Sequence, residues 1–370
     1  MIRCGEPQIG EAEIAAVTDV LRAGNLTRGE ECERFERALA EQLNVRGVLA
    51  VSSGTAALHL ALLAVGVQPG DEVIIPATTF VATANAVLYC RAKPVVVDVD
   101  STTWTIDVGQ AIRAITKKTR AIVPVHLYGV PADVGGLLLV CDDHYARTGR
   151  RIAIVEDAAE AIGAMHMGRE VGAIGDAAAL SFYGSKTITT GEGGAVIWHD
   201  GRVGLRAWHL HGQAQSATKR YWHEALGYNY RMTEMQAALG RVQLERLEVF
   251  LEHRRQVFAW YDEMLPQTFK RQGVVESDRH GCWAYAVVKE YSGEMNAQKT
   301  ALALLEAGIE TRPIFYPLSR FPHLAGTSSR DHYVAHRLNK HGLVLPTHCG
   351  LTREDVEKVC QELRKAACCS

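Results

Sequence analysis

Residues 48–65 read VLAVSSGTAALHLALLAV, a short apolar strand followed by a turn of small residues and an apolar helix. The same alternation recurs along the first half of the chain, with further strands predicted at Glu72–Pro76, Pro94–Val99, Ala121–His126 and Ile152–Glu156. Strands that alternate with helices predict an α/β fold in which helices cover both faces of a mostly parallel sheet. Ligands of such sheets collect beyond the carboxyl ends of the strands.

The composition is that of an ordinary globular protein. The chain has 370 residues, 47% of them hydrophobic and 22% charged, and a net charge of −2. A nearly neutral chain without a Lys/Arg run predicts neither a nucleic-acid nor a membrane partner. The nine cysteines are an odd number without a CxxC pair, and the N-terminus has no secretory pattern, so we expect reduced thiols and a cytoplasmic location. No metal-ligand spacing occurs among the histidines, and no metal is expected.

The second half of the chain predicts a smaller α+β domain. A loop, GYNYRM, leads into one long helix that Thr233 could cap. A strand (Trp283–Val288), a helix (Asn296–Ala307) and a terminal helix from about Thr352 follow. We expect a large domain of residues 1–245 and a small domain of residues 246–370. Two N-terminal helices, Ile9–Ala23 and Cys32–Leu43, could pack on either domain.

The turn SSGTAALH is a candidate phosphate site. Gly54 and Thr55 begin a helix directly after a strand, where backbone N–H groups and the helix dipole favour an anion. The turn lacks GxGxxG and the Walker pattern, which argues against a dinucleotide and against ATP hydrolysis. An ordinary helix cap is the alternative. Phe80, just past the next strand, could stack on a flat ring or belong to the core.

Two later segments supply titratable groups. The strand of IAIVEDAAEA ends at Asp157, which could cap a helix or pair with the protonated ring nitrogen of pyridoxal phosphate, and Glu160 follows within one turn. The stretch SFYGSKTITTGEGG, residues 181–194, carries Ser181 as a second phosphate ligand and Lys186 as a candidate imine-forming amine. A solvated surface lysine is the alternative. The order of phosphate turn, aromatic ring, aspartate and lysine suits pyridoxal phosphate.

Seven segments together resemble the DegT-type nucleotide-sugar aminotransferases over nearly the whole chain: SGTAALHLALLA, PATTFVATANAV, PVVVDVD, PVHLYG, EDAAEAIGA, SFYGSKTITTGEGG and GYNYRMTEMQAA. The resemblance implies the aspartate-aminotransferase-like fold (pyridoxal-phosphate fold type I), with a mostly parallel seven-stranded central sheet. It also implies a homodimer with shared active sites. By motif position, Lys186 forms the imine, Asp157 pairs with the ring nitrogen, Phe80 stacks, and Gly54, Thr55 and Ser181 hold the phosphate. Asn229 is expected to reach the cofactor of the partner subunit. Glu160 stands where many members carry Gln, and its role is open.

Further segments, including GIETRPIFYP, resemble the branch that aminates carbon 4 of a nucleotide-linked 4-keto-6-deoxysugar. The expected donor is L-glutamate, the expected acceptor is GDP-4-keto-6-deoxymannose, and the cofactor cycles through pyridoxamine phosphate. The candidate substrate residues are Arg28, Tyr221, Trp222, His223, Arg312, Phe315 and Tyr316. Three alternatives remain: a dTDP- or UDP-linked ketosugar or cyclitol ketone, a sugar dehydratase, and a non-catalytic regulator that binds the cofactor. Dehydratases of the family replace the lysine by His, so the presence of Lys186 favours transamination.

Overall fold

The computed structural model describes residues 1–289, 295–327 and 332–368. Its central sheet has seven strands in the order β1-β9-β8-β5-β4-β2-β3, which confirms the predicted architecture. The strands of this unit are β1 (Gly47–Val51), β2 (Glu72–Pro76), β3 (Lys93–Val97), β4 (Thr119–Ile122), β5 (Ala153–Asp157), the two-residue hairpin strands β6 (Met165–His166) and β7 (Arg169–Glu170), β8 (Ala177–Ser181) and β9 (Gly194–Trp198). The helices around the sheet are α1 (Glu11–Ala23), α2 (Glu30–Leu43), α3 (Gly54–Ala64), α4 (Ala82–Tyr89), α5 (Val108–Ala114), α6 (Val134–Thr148), α7 (Gly201–His211) and α8 (Glu234–Glu245).

One strand of the central sheet, β9, runs against its neighbours. It pairs antiparallel with both β1 and β8, whereas the pairs β8–β5, β5–β4, β4–β2 and β2–β3 are parallel. A parallel return would need a crossover, usually a helix. The segment between β8 and β9 is an irregular excursion without a helix, and it begins and ends where Ser181 pairs with Gly194. The chain therefore leaves and re-enters the sheet at adjacent points around Lys186.

A second unit follows, with the small antiparallel sheet β10-β11-β13-β12. Its elements are α9 (Leu247–Met264), β10 (Phe269–Arg271), β11 (Tyr285–Lys289), α10 (Ala297–Glu306), β12 (Arg312–Pro313), α11 (Tyr333–His341), β13 (Gly342–Leu345) and α12 (Arg353–Cys368). Leu247, Phe250 and Leu251 of α9 pack in the core of the first unit, whereas Val257 and Tyr261 of the same helix pack in the core of the second. Helix α9 thus belongs to both cores, and the division at residue 245 stays a prediction.

The single long helix predicted after Thr233 is wrong, because it is two helices. Thr233 does cap α8, in a reciprocal capping box with Gln236. The helical path then breaks at Arg246 (φ −98°, ψ 2°), whose guanidinium binds the buried carboxylate of Glu13 and lies over the ring of Phe250. Apolar periodicity continues across the break, so the sequence pattern does not reveal it.

The N-terminal segment contacts both units. Helices α1 and α2 pack against α8. The residues before α1 instead pair with the second unit, since Ile2 exchanges backbone hydrogen bonds with Gly308 and Glu310 at 2.8 and 2.9 Å. No helix in the described part of the chain is both long and apolar enough to cross a membrane.

Candidate active site

A cavity of about 360 Å³ lies beyond the carboxyl ends of β5 and β8, as the parallel part of the sheet predicts. It gathers residues from the turn before α3, the end of β5, the excursion after β8 and the second unit. Its lining includes Ser53, Gly54, Thr55, Phe80, Asp157, Glu160, Ser181, Lys186, Glu192, Trp283, Arg312 and Phe315. All the predicted cofactor residues except Asn229 therefore meet in one place.

Lys186 is the amine of this cavity. Its side chain is only 13% exposed, which rules out the solvated surface lysine. The Nζ atom lies 3.3 Å from Oε1 of Glu160 and 3.9 Å from the centre of the Trp283 ring. A tight turn, in which the Lys186 N–H donates to the carbonyl of Tyr183 at 2.8 Å, directs the side chain inward.

Asp157 ends β5 with its carboxylate buried. Burial raises the pKa of this carboxyl, and a 2.7 Å hydrogen bond from the hydroxyl of Thr83 opposes the rise. The backbone N–H of Ala159 donates to the other carboxylate oxygen at 3.2 Å. A buried anion with so few donors is suited to a cationic partner in the cavity.

The neighbouring Glu156 provides a contrast within the same strand. Although burial opposes its ionisation, hydrogen bonds from His126, Gly172 and Gly175 hold the pKa of Glu156 below its usual value. The Nδ1 atom of His126 accepts the N–H of Ala132, so its Nε2–H donates to Glu156. The hydrogen bonds of Glu156 are all made inside the protein, and they hold the loop after β7 in place.

Glu160 is the second buried carboxyl of the cavity. Burial raises its pKa, and the charge of Lys186 opposes the rise. One oxygen accepts the backbone N–H of Tyr128 at 3.0 Å, and the other faces Lys186. The Glu160–Lys186 pair can therefore hold a proton between an oxygen and a nitrogen.

The turn before α3 has the shape of an anion cradle. The hydroxyl of Ser53 accepts the N–H of Ala56 at 3.1 Å, so the alternative of a helix cap is also present. The N–H groups of Gly54 and Thr55 have no acceptor within the described residues. A Cβ on Gly54 would lie 2.8 Å from Cβ of Ser181, so only glycine permits this close approach. The turn and Ser181 therefore fit the phosphate of pyridoxal phosphate.

The predicted substrate residues divide into two sets. Arg312 and Phe315 line the cavity, and Arg312 has no ion-pair partner among the residues that the structure describes. Phe80, 56% exposed at the cavity mouth, lies 5.9 Å from the Phe315 ring and is not a core residue. The other five lie outside this cavity: Arg28, Tyr221, Trp222, His223 and Tyr316.

Several of these outlying residues have other contacts in the single chain. Arg28 makes a two-pronged ion pair with Glu36, at 2.8 Å for each bond. His223 lies 2.9 Å from the carbonyl of Gln213. Asn229 shares a separate cavity of about 390 Å³ with Arg28, away from Lys186 of its own chain.

Sequence reasoning missed four residues of the site: Thr83, Tyr128, Trp283 and Glu192. Thr83 and Tyr128 sit in segments that read as a helix and a loop, and no local pattern marks Thr83 as a partner of a carboxylate 74 positions later. Trp283 lies at the start of a predicted strand and reads as a core residue. Only the positive φ of 56° at the buried Tyr128 is unusual, and that is visible in the structure alone.

Taken with the fold, this cavity is that of an aminotransferase of the pyridoxal-phosphate class. The sequence matches the DegT/DnrJ/EryC1/StrS aminotransferase family over residues 7–364, and the chain belongs to that family. It is 41% identical over 329 residues to the GDP-perosamine synthase of Caulobacter vibrioides, covering 88% of this chain and 87% of the relative. The GDP-perosamine synthase of Vibrio cholerae is 35% identical over 367 residues, covering 97% of each chain.

The fold comparison agrees. The protein Spr1654 of Streptococcus pneumoniae, solved in its PMP form, superposes with a TM-score of 0.93 at 29% identity, covering 99% of this chain and 97% of that chain. A relative solved with PMP supports pyridoxal phosphate as the cofactor here. The chain is thus a sugar aminotransferase, as the resemblance of the sequence motifs implied.

Proposed function

We propose that the protein transfers the amino group of L-glutamate to carbon 4 of GDP-4-keto-6-deoxymannose and so forms GDP-perosamine. The observation that carries the proposal is the cluster of Lys186, Asp157 and Glu160 around one cavity, in a chain whose relatives at 41% and 35% identity are GDP-perosamine synthases. We further propose a homodimer in the cytoplasm, with a dTDP- or UDP-linked ketosugar as the alternative acceptor.

We assign the cofactor to the residues that fit it. Gly54, Thr55 and Ser181 would hold the phosphate, Phe80 would cover the ring, and Asp157 would accept a hydrogen bond from the ring nitrogen. When bound, pyridoxal phosphate supplies an electron-withdrawing ring and a carrier for the amino group. Burial raises the pKa of Asp157, and a cationic partner would favour the ionised form of this carboxyl.

The catalytic work of the chain itself is proton transfer at Nζ of Lys186. As a free amine this atom can take a proton from the amino donor and return it at another carbon, acting as general base and then as general acid. Glu160, 3.3 Å away, can hold the proton between these events. The aromatic walls of Trp283 and Phe315 limit the access of water.

Charged and aromatic residues of the cavity lining would recognise the substrate. Arg312 is a cation of the cavity lining that has no ion pair with any residue the structure describes, and it is suited to a carboxylate or a phosphate. Phe315 adds an apolar surface. The five candidate substrate residues outside the cavity stay proposals: Arg28, Tyr221, Trp222, His223 and Tyr316. They would have to act on the cavity of the partner subunit or outside the site.

The product of a defined reaction tests the proposed function. Purified protein with pyridoxal phosphate and L-glutamate is incubated with GDP-4-keto-6-deoxymannose, and the product is weighed by mass spectrometry. We expect the ketone oxygen to be replaced by an amino group, with one 2-oxoglutarate formed per amino sugar. A panel with dTDP- and UDP-linked ketosugars decides the nucleotide. A product that lacks a hydroxyl and gains no nitrogen would instead identify a dehydratase, and no turnover of any ketosugar would support a regulator.

Lys186→Ala should abolish transamination, because imine exchange and both proton transfers depend on this amine. Lys186→Arg is the matched control, since it keeps a positive charge but cannot form the imine, and it should be equally inactive. Turnover of the ketosugar at near wild-type rate by either variant would contradict the assignment.

Asn229→Ala tests the sharing of the site between subunits. We expect weaker cofactor binding with an unchanged oligomer and an unchanged unfolding temperature of the cofactor-free protein, because Asn229 lies outside the cavity of its own chain. Equilibrium titration with pyridoxal phosphate gives the affinity. An affinity equal to that of the wild type would remove Asn229 from the site.

A further inference from the structure

Trp283 is the residue that links the second unit to Lys186. It is buried, and one residue, Ala284, lies between it and the start of β11. The face of its ring lies 3.9 Å from Nζ of Lys186. Its indole N–H donates to the backbone carbonyl of Ser185, the residue before the lysine, at 2.9 Å. One side chain thus contacts both the amine and the backbone that carries it.

Trp283 is itself held from two directions. Its carbonyl accepts a 2.9 Å hydrogen bond from the buried guanidinium of Arg254, which also donates to the carbonyl of Thr347 at 3.0 Å. Its ring stacks on Tyr128 with 6.1 Å between centres and 23° between planes. The hydroxyl of Tyr128 in turn accepts the N–H of Phe315 at 3.1 Å. The indole therefore has little freedom to move away from Lys186.

The two groups beside the ammonium are tied to the same tyrosine. Glu160 accepts the backbone N–H of Tyr128, and Trp283 stacks on its ring. Asp157 and Arg312 line the same cavity. A protonated amine over an aromatic face is stabilised by about 0.5–2 kcal/mol, more when it is shielded from water. Trp283 therefore adds a ring contact to the contact that Glu160 makes with Nζ of Lys186.

We infer that Trp283 is a positioning residue for Lys186: the indole holds Nζ beside Glu160 and couples the position of the amine to the packing of the second unit. This inference rests on the proposed function only for the role given to Lys186. The indole acts through Lys186 by two contacts: its ring face lies against Nζ, and its N–H holds the backbone carbonyl of Ser185.

The test measures the accessibility of the free amine of Lys186 and needs neither ketosugar nor glutamate. The full-length chain freed of its cofactor is acetylated at neutral pH with an N-hydroxysuccinimide ester, and peptide mass spectrometry follows Lys186. We expect Trp283→Leu to speed acetylation of Lys186 by about two- to thirtyfold, which is the effect of losing 0.5–2 kcal/mol. Exposed Lys118 in the same protein is the internal reference, and its rate should not change.

Two further variants separate positioning from packing. Trp283→Phe keeps a ring but loses the bond to Ser185, and it should give an intermediate rate. Trp260→Leu removes a tryptophan from the second unit away from the cavity and should leave the rate unchanged. A wild-type rate for Lys186 in folded Trp283→Leu would overturn the inference. If that variant does not fold, a wild-type rate in Trp283→Phe would do the same. Either result would leave the transamination assay, and hence the proposed function, untouched.

Discussion

Replacing Asp157 by Asn should stabilise the cofactor-free chain and weaken its hold on the cofactor. The carboxylate is buried, and burial raises its pKa. The amide of Asn has the same shape and can keep the existing contacts: its oxygen accepts the N–H of Ala159, and its N–H₂ donates to Thr83. The Thr83 hydroxyl can then turn toward Thr79, 2.8 Å away, because either hydroxyl of that pair can donate.

The expected change in the free energy of unfolding is the sum of two opposing contributions. Replacing a buried ion by a neutral group of equal volume often stabilises by about 1–4 kcal/mol. The hydrogen bond from Thr83 loses the extra strength of a charged acceptor, about 1 kcal/mol. The difference of the two contributions is about 0–3 kcal/mol, and we expect a net gain near the middle of that range, about 1–2 kcal/mol. For a chain of 370 residues this corresponds to roughly 1–3 °C in the unfolding temperature of the cofactor-free chain.

The sign of the pH dependence is fixed by the raised pKa of Asp157. The folded chain binds this proton more tightly than the unfolded chain, so wild-type stability falls as the pH rises from about 4, the unfolded pKa, through the folded value. Above the folded pKa the full cost of the buried charge is present. The advantage of Asp157→Asn should thus be largest at pH 8 and should shrink as the pH approaches 4.

Thermal unfolding of the free and the cofactor-loaded chains at several pH values measures both effects. Loading should raise the unfolding temperature of Asp157→Asn less than that of the wild type, because weaker binding gives less stabilisation. Asp98→Asn is the matched control. The Asp98 carboxylate accepts backbone N–H groups of Val99, Val334 and Ala335 at 2.9–3.0 Å, so the amide N–H₂ would face a donor and lower stability by about 1–3 kcal/mol. A cofactor-free Asp157→Asn chain that is less stable than wild type at pH 8, or that gains as much from the cofactor, would refute the reasoning.

Two further substitutions test the walls of the cavity. Gly54→Ala places a Cβ 2.8 Å from that of Ser181, so we expect a loss of about 1–3 kcal/mol in unfolding free energy and weaker cofactor binding. Gly212→Ala is the control: its chain neighbours aside, no atom of the described residues lies within 4 Å of the added Cβ, so this variant should keep wild-type stability in the same denaturant titration. Thr83→Val removes the hydroxyl that donates to Asp157, so it should raise the pKa of that carboxyl further and weaken cofactor binding about tenfold or more. Thr83→Ser keeps the hydroxyl and should bind the cofactor as the wild type does. Equal cofactor affinities of the Val and Ser variants would contradict this prediction.

The sequence predicted those parts of the fold and the site that depend on local patterns of apolar and polar residues. The apolar runs that end at Val51, Pro76 and Asp157 are strands because each is short and buried on both faces. Parallel strands end at one edge of the sheet, and this places the Gly54 turn, Asp157 and Lys186 in one cavity. The motif resemblance added the chemistry that these residues share.

What the sequence alone did not show depends on contacts between distant segments. At the break between α8 and α9, Arg246 makes an ion pair with Glu13, which is 233 residues away in the sequence. Trp283 looks like any apolar strand residue until the second unit is packed against the excursion that carries Lys186. The motif resemblance assigned Asn229 to the cofactor of the partner subunit, and in the folded chain Asn229 lies outside the cavity that contains Lys186.

The closed pairing of Ser181 with Gly194 has a consequence for how such enzymes diversify. Residues 182–193 leave the sheet and return to it at neighbouring points, where Phe182 and Gly193 are joined by a 2.9 Å backbone hydrogen bond. A loop whose ends already meet can change its length or contents without moving the strands that hold it. Within this segment, Phe182 and Ile188 are buried in the core of the first unit, and the carbonyl of Ser185 accepts the indole N–H of Trp283. We therefore expect relatives to differ mainly at its exposed positions, such as Tyr183 and Glu192, while the strands and the position of Lys186 stay the same.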